Sequence, residues 1–220
     1  MGDKKTEDKG KVLKKYFGYD GFRPGQEVMI DAILEGRDAL GIMPTGAGKS
    51  ICYQVPALML SGITLVISPL ISLMMDQVKA LNEAGIHAAF INSSLTEGQI
   101  AKALHFAAEG RYKIIYVAPE RLETESFFYF AQNAEISMVT VDEAHCISQW
   151  GQDFRPSYLK IVSFIDRLPA RPISVPAPRS PTQNVLSPRS AFPSVTAVPA
   201  IPSAKPHAIC PKTAQRNNVL

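Results

Sequence analysis

The 220-residue chain is short of cysteine, of aromatics and of long apolar runs, and its last 48 residues hold no acidic side chain. Its three cysteines, Cys52, Cys146 and Cys210, are odd in number, far apart and never in a CxxC pair. That excludes a disulfide framework and a cysteine zinc site, and it suits a reducing compartment. No apolar stretch reaches the roughly 20 residues needed to span a bilayer, and residues 1–15 are charged where a secretory leader would be apolar. A cytoplasmic protein without membrane contact is expected. The net charge of +3 hides an asymmetry. From Ile173 onward there are five basic residues (Arg179, Arg189, Lys205, Lys212, Arg216) and nine prolines. Residues 1–172 therefore hold 18 Lys+Arg against all 20 acids, a net charge of −2. A nucleic-acid surface must then be a local patch, because this portion is not globally basic. With Phe192 its only aromatic, 173–220 cannot bury enough apolar surface to offset its ordering entropy, and it reads as a disordered, Pro-rich basic tail.

What is present is an alternation. Residues 1–11 form a polar lead-in to a short helix. Residues 24–34 are predicted helical, with Pro24 early and Gly36 closing. Strands are expected at 39–43, 63–68, 87–92, 113–118 and 136–141. Helices are expected at 71–84 and after Thr96, where Ile100, Leu104 and Ala107 share one face. Strands this apolar, separated by helices, imply an α/β fold with a mostly parallel sheet flanked by helices.

Two motifs interrupt that pattern. Thr45-Gly46-Ala47-Gly48-Lys49-Ser50 lies between a predicted strand and a helix. Gly46 and Gly48 let the backbone curl so that its N–H groups converge on phosphate oxygens, and the helix dipole adds to the attraction. Lys49 places a point charge on the β and γ phosphates, and the Ser50 hydroxyl can ligate magnesium. The longer GxxxxGK[ST] pattern is not met, since Met43 stands at its first glycine. Further on, 138–142 is an apolar strand running into Asp142-Glu143. Ligands gather at such carboxyl ends in open α/β sheets. Asp142 is suited to hold the metal, through water, and Glu143 to orient and deprotonate an attacking water. Both halves of a magnesium–ATP site are then present, with no zinc. A phosphate-loop kinase is disfavoured, because the Asp-Glu-Ala-His box would have no purpose there.

Together these motifs resemble the first RecA-like lobe of a superfamily-two helicase, specifically of the RecQ DNA helicases. Residues 17–26, Phe-Gly-Tyr-Asp-Gly-Phe-Arg-Pro-Gly-Gln, resemble the family's adenine-recognition motif. Gln26 offers a donor and an acceptor matching adenine, with Tyr19 and Arg23 as flat partners for its ring. Residues 68–77 and 116–122 resemble DNA-backbone motifs, with Ser68, Ser72, Gln77 and Arg121 as candidate contacts. Without the resemblance, 68–77 would be a plain strand–helix turn and Arg121 a surface ion pair. The most specific match is 142–156, Asp-Glu-Ala-His-Cys-Ile-Ser-Gln-Trp-Gly-Gln-Asp-Phe-Arg-Pro. There Trp150, Phe154 and Arg155 interleave aromatics with a cation, a combination that stacks unpaired bases. The family couples this loop to hydrolysis, and His145 matches its sensor residue. Gln152 stands where the family usually has His, which loses a titratable ring.

The resemblance covers roughly 12–172, making that the RecA-like ATP-binding domain. It implies 3'-5' DNA unwinding driven by ATP, in repair and recombination, with single-stranded or partially unwound DNA as partner. The family's Thr-Ala-Thr motif, second lobe with its arginine finger, and zinc and winged-helix regions are not recognisable here. The tail resembles out-of-frame translation of a GC-rich gene, and loss of the next strand would leave an open sheet edge. Slow hydrolysis and no unwinding by this chain alone are therefore expected. The alternative reading is a non-catalytic remnant that binds nucleotide or DNA.

Overall fold

The computed structural model describes residues 8–41, 43, 47–142, 160–170, 172–177 and 196–198. Its strands are β1 (Ala39–Gly41), β2 (Ile63–Ile67), β3 (Ala88–Ile91), β4 (Ile114–Val117), β5 (Ile136–Asp142), β6 (Ile173–Ala177) and β7 (Thr196–Val198). Its helices are α1 (Lys9–Phe17), α2 (Gln26–Leu34), α3 (Lys49–Met59), α4 (Ile71–Glu83), α5 (Glu97–Ala108), α6 (Glu125–Asn133) and α7 (Lys160–Asp166), with a 3-10 helix at Pro119–Glu123. Among the described residues no helix is long and apolar enough to cross a membrane.

The central sheet runs β3-β4-β2-β5-β6, every pair parallel. All five residues of β2 are buried, because helices cover both faces. Successive side chains divide between those faces. Leu65 and Ile67 join Ile115, Val117, Val139 and Val141 against α5, α6 and α7, where Phe127, Phe130 and Phe164 fill the layer. Val66, Ile114, Tyr116 and Met138 face α2, α3 and α4 through Met29, Ile33, Tyr53, Met74 and Val78. α5 starts where its capping box requires: Thr96 Oγ1 accepts from the Gln99 N–H at 3.3 Å, and Gln99 Oε1 accepts from the Thr96 N–H at 2.8 Å.

Two expected boundaries move. α1 begins at Lys9, inside the polar lead-in, because the Asp8 carboxylate accepts from the Gly10 N–H at 2.9 Å and Val12 and Leu13 are buried. At the other end, 173–177 is β6 rather than tail, laddered to β5 from Met138↔Ile173 to Asp142↔Ala177. β5 therefore has a strand on each side, and the edge expected there is covered. Pro176 cannot donate to a ladder, but β6 is the last strand of this one, where proline is tolerated. β7, also within the assigned tail, pairs in parallel with β1, which lies beside β6. The remaining residues of 1–7 and of 173–220 lie outside those described.

Candidate nucleotide-binding site

The site is built where a helix start meets strand ends. Gly48 has φ +76°, a left-handed conformation that lets the chain turn directly into α3. Lys49 and Ser50 open that helix, half-buried, where its unpaired N–H groups and dipole favour an anion. Gln26, at the start of α2, is turned onto the same loop and is buried. Its Nε2 donates to the Ala47 carbonyl at 3.1 Å and the Gly48 carbonyl at 3.0 Å, and its Oε1 accepts from the Arg23 N–H at 2.8 Å. The amide proposed for adenine thus holds the phosphate loop itself in this conformation. Tyr19, 52% exposed, and Arg23, also exposed, sit on the same approach to α2.

Asp142 ends β5 and is 8% exposed. The Ser68 hydroxyl, just beyond β2, donates to it at 3.5 Å. Ser68 is fully buried, so its hydroxyl is directed inward and not toward a DNA backbone. Behind the carboxylate is a polar cluster that sequence reasoning missed. Tyr53 and Tyr116 hydroxyls meet at 3.2 Å, and Gln54 Nε2 donates to Tyr116 Oη at 3.2 Å and Gln77 Oε1 at 3.0 Å. The only signal in the chain was Tyr53's place three residues after Ser50, on one helix face, and nothing in the sequence marks its partner on β4.

Burial pushes the Tyr116 phenol up to about 12, with the Asp142 charge adding to the shift and the hydrogen bonds from Tyr53 and Gln54 opposing it. Tyr53 moves well above its usual value for the same leading reason, helped by Tyr116 and Asp142. Burial likewise pushes the Cys52 thiol up to about 12, which keeps it unreactive beside Met43 Sδ at 3.6 Å. A consequence is alkaline sensitivity. The unfolded chain, with ordinary phenols, releases these protons near pH 10 while the folded chain retains them. Stability is therefore full below about pH 10 and falls as pH rises toward 12, with Tyr116 alone accounting for roughly 2–3 kcal/mol. Denaturant titrations at pH 8 and pH 11 check this, and Tyr116→Phe should flatten the slope.

Other assigned residues are dispersed. Ser72 is exposed on α4, and Gln77 is half-buried and spent on Gln54. Arg121 lies 3.4 Å from Glu97, a surface ion pair. Thr45, Gly46, Glu143, His145, Trp150, Gln152, Phe154 and Arg155 lie outside the described residues. Among the described residues no group of three or more His, Cys, Asp or Glu could hold a metal. The donors assigned from the sequence among the described residues are the Ser50 hydroxyl and the Asp142 carboxylate. Hard oxygen donors in small number fit magnesium, which retains waters and phosphate oxygens as its other ligands.

Residues 23–186 match the family model of the DEAD/DEAH box helicases. The chain belongs to that family. It is 53% identical over 163 residues to the ATP-dependent DNA helicase RecQ of Bacillus subtilis, covering 74% of this chain and 28% of that one. It is 51% identical over 162 residues to the RecQ of Haemophilus influenzae, covering 74% and 26%. The chain therefore spans about a quarter of the length of these curated relatives. A structure of the DUF1998 helicase MrfA bound to DNA and AMPPNP superposes with a TM-score of 0.68 at 16% identity, covering 90% of this chain and 30% of that one. That likeness concerns the fold. It agrees with the parallel, helix-flanked RecA-like sheet expected from the sequence.

Proposed function

We propose that this DEAD/DEAH box helicase chain is the first motor lobe of a RecQ-type ATP-dependent DNA helicase, acting on single-stranded or partially unwound DNA in repair and recombination. The observation that supports the reading is the placement of the two motifs: Lys49 and Ser50 open α3 after the left-handed Gly48, and Asp142 ends β5, bonded to Ser68 just beyond β2. Ligands gather at such strand ends in open α/β sheets, and the start of a helix favours an anion. In this reading Lys49 and the α3 N–H groups hold the phosphates, and Thr45, Gly46, Ala47 and Gly48 shape the loop around them. Ser50 and Asp142 would hold magnesium, which would supply positive charge to the phosphates. Glu143 takes the proton of the attacking water. Tyr19, Arg23 and Gln26 select adenine, which requires Gln26 to exchange a loop carbonyl for the base. Trp150, Phe154 and Arg155 stack unpaired bases, Ser72 contacts backbone, and His145 relays occupancy to the acidic pair.

Lys49→Ala tests the phosphate clamp. Losing a charge-assisted contact should weaken magnesium–ATP binding about 10- to 100-fold, read by calorimetric titration of the whole chain. Unaltered affinity would remove the basis of the proposal.

A further inference from the structure

Arg121 has no place in the roles above, yet it stands on the edge of the sheet that carries Asp142. We propose that Arg121 is a phosphate site for single-stranded DNA beside Ser72, and that the Glu97 carboxylate occupies it in the DNA-free chain, an autoinhibitory contact that lowers DNA affinity. The inference rests on the reading of Ser72 as a backbone contact.

The topology brings these residues to one place. β3, β4, β2 and β5 are parallel, so their carboxyl ends share one edge. Glu97 opens α5 beyond β3, Arg121 lies in the 3-10 helix Pro119–Glu123 after β4, and Ser72 is exposed in the first turn of α4 beyond β2. β4 lies between β3 and β2, which puts the Arg121 segment between those that carry Glu97 and Ser72. Two side-chain bonds fix that segment. Thr124 Oγ1 donates to the Arg121 carbonyl at 2.7 Å, and Glu123 pairs with Lys160 of α7 at 2.6 Å. The Arg121 side chain is only 18% exposed, so its guanidinium is held against the surface and not spread into solvent. Glu97 is 83% exposed, and the α5 dipole favours its charge at the helix start. Arg121 Nη1 donates to Glu97 Oε1 at 3.4 Å. Charge-assisted bonds of this kind are ordinarily about 2.7–2.9 Å long, so the contact is loose. It engages one nitrogen of a guanidinium that presents its N–H donors as a fork. A phosphodiester has the same chemistry as the carboxylate, one negative charge shared by two oxygens, and the fork can hold both of them. DNA therefore takes the place of Glu97, and releasing the pair costs part of the binding.

The experiment measures binding of a fluorescein-labelled oligothymidylate to the full chain without nucleotide, by anisotropy at low ionic strength. Glu97→Gln should tighten binding roughly 3- to 5-fold, because the competing charge is gone while the side chain keeps its size. Arg121→Gln should weaken it about 3- to 10-fold. In the Arg121→Gln background, Glu97→Gln should change affinity by less than about 1.5-fold, since no pair remains to be released. Glu120 is exposed and adjacent to Arg121 in the chain. Glu120→Gln removes the same charge without touching the pair, and it should also stay under about 1.5-fold. Unchanged affinity in Glu97→Gln overturns the proposal. So does an equal gain from Glu120→Gln, or a gain from Glu97→Gln that persists without Arg121, because either one means general repulsion. If Arg121→Gln binds as tightly as the unaltered chain while Ser72→Ala binds more weakly, the Arg121 site falls and the backbone reading of Ser72 stands. If the unaltered chain binds no oligonucleotide, the DNA reading falls and takes this inference with it.

Discussion

Phosphate release by Glu143→Gln in the presence of single-stranded DNA is expected to fall about 10²–10⁴-fold below that of the unaltered chain, while magnesium–ATP affinity stays within about threefold. Glutamine preserves the size and hydrogen bonding of the side chain but cannot take a proton at neutral pH. Glu143 follows Asp142 directly in the chain, and Asp142 ends β5 buried against Ser68. The substitution leaves Asp142, Ser50 and Lys49 in place, so binding is preserved and only the proton transfer is lost. Lys49→Ala should show the reverse pattern, with weakened binding as its primary effect. The two variants together separate the clamp from the chemistry. Equal phosphate release by Glu143→Gln and the unaltered chain would instead support a lobe that binds nucleotide or DNA without hydrolysing.

Much of this arrangement is legible in the sequence because local and global signals agree. Ile63-Thr-Leu-Val-Ile67 is a β-branched run bounded by Gly62 and Pro69, and it forms the centre of the sheet. Thr96, read as the residue before a helix, is the N-cap of α5. Asp142, the last polar step after an apolar strand, sits at the strand's carboxyl end as that pattern requires. Other features depend on contacts that no local pattern encodes. α6 contains Ser-Phe-Phe-Tyr-Phe, whose aromatics favour strands, and it becomes helical by burying Phe127 and Phe130 on the sheet. β6 contains a proline within an acid-free segment, and only its pairing to β5 makes it a strand. Gln26 was read as an adenine contact, and its bonding to the Ala47 and Gly48 carbonyls was not legible. Loop carbonyls and an adenine ring nitrogen are acceptors alike to an amide donor. Ser68 and Gln77 were read as phosphate contacts because the segment resembles a DNA-backbone motif and small or neutral donors suit such contacts. Asp142 and Gln54 draw them inward instead.

Gly48→Ala should cost about 2–5 kcal/mol, measured as the shift in denaturant-induced unfolding. Two separate penalties contribute. A side chain at φ +76° is strained by about 1–2 kcal/mol whatever its surroundings. The added Cβ would also lie 2.6 Å from Gln26 Nε2, inside van der Waals contact, so the amide must move. Gln26 is buried and donates to both Ala47 and Gly48 carbonyls, so moving it strands polar groups at about 1–3 kcal/mol. A double-variant cycle distinguishes these contributions. In a Gln26→Ala background the clash is absent, and Gly48→Ala should then cost only the backbone strain. The coupling between the two sites is expected to be at least about 1 kcal/mol, since they touch. Additive costs would mean that Gln26 does not brace the loop in solution. Coupling would show that the phosphate loop of the nucleotide-free chain is held in shape by α2 before ATP arrives, with nucleotide binding then required to replace those bonds.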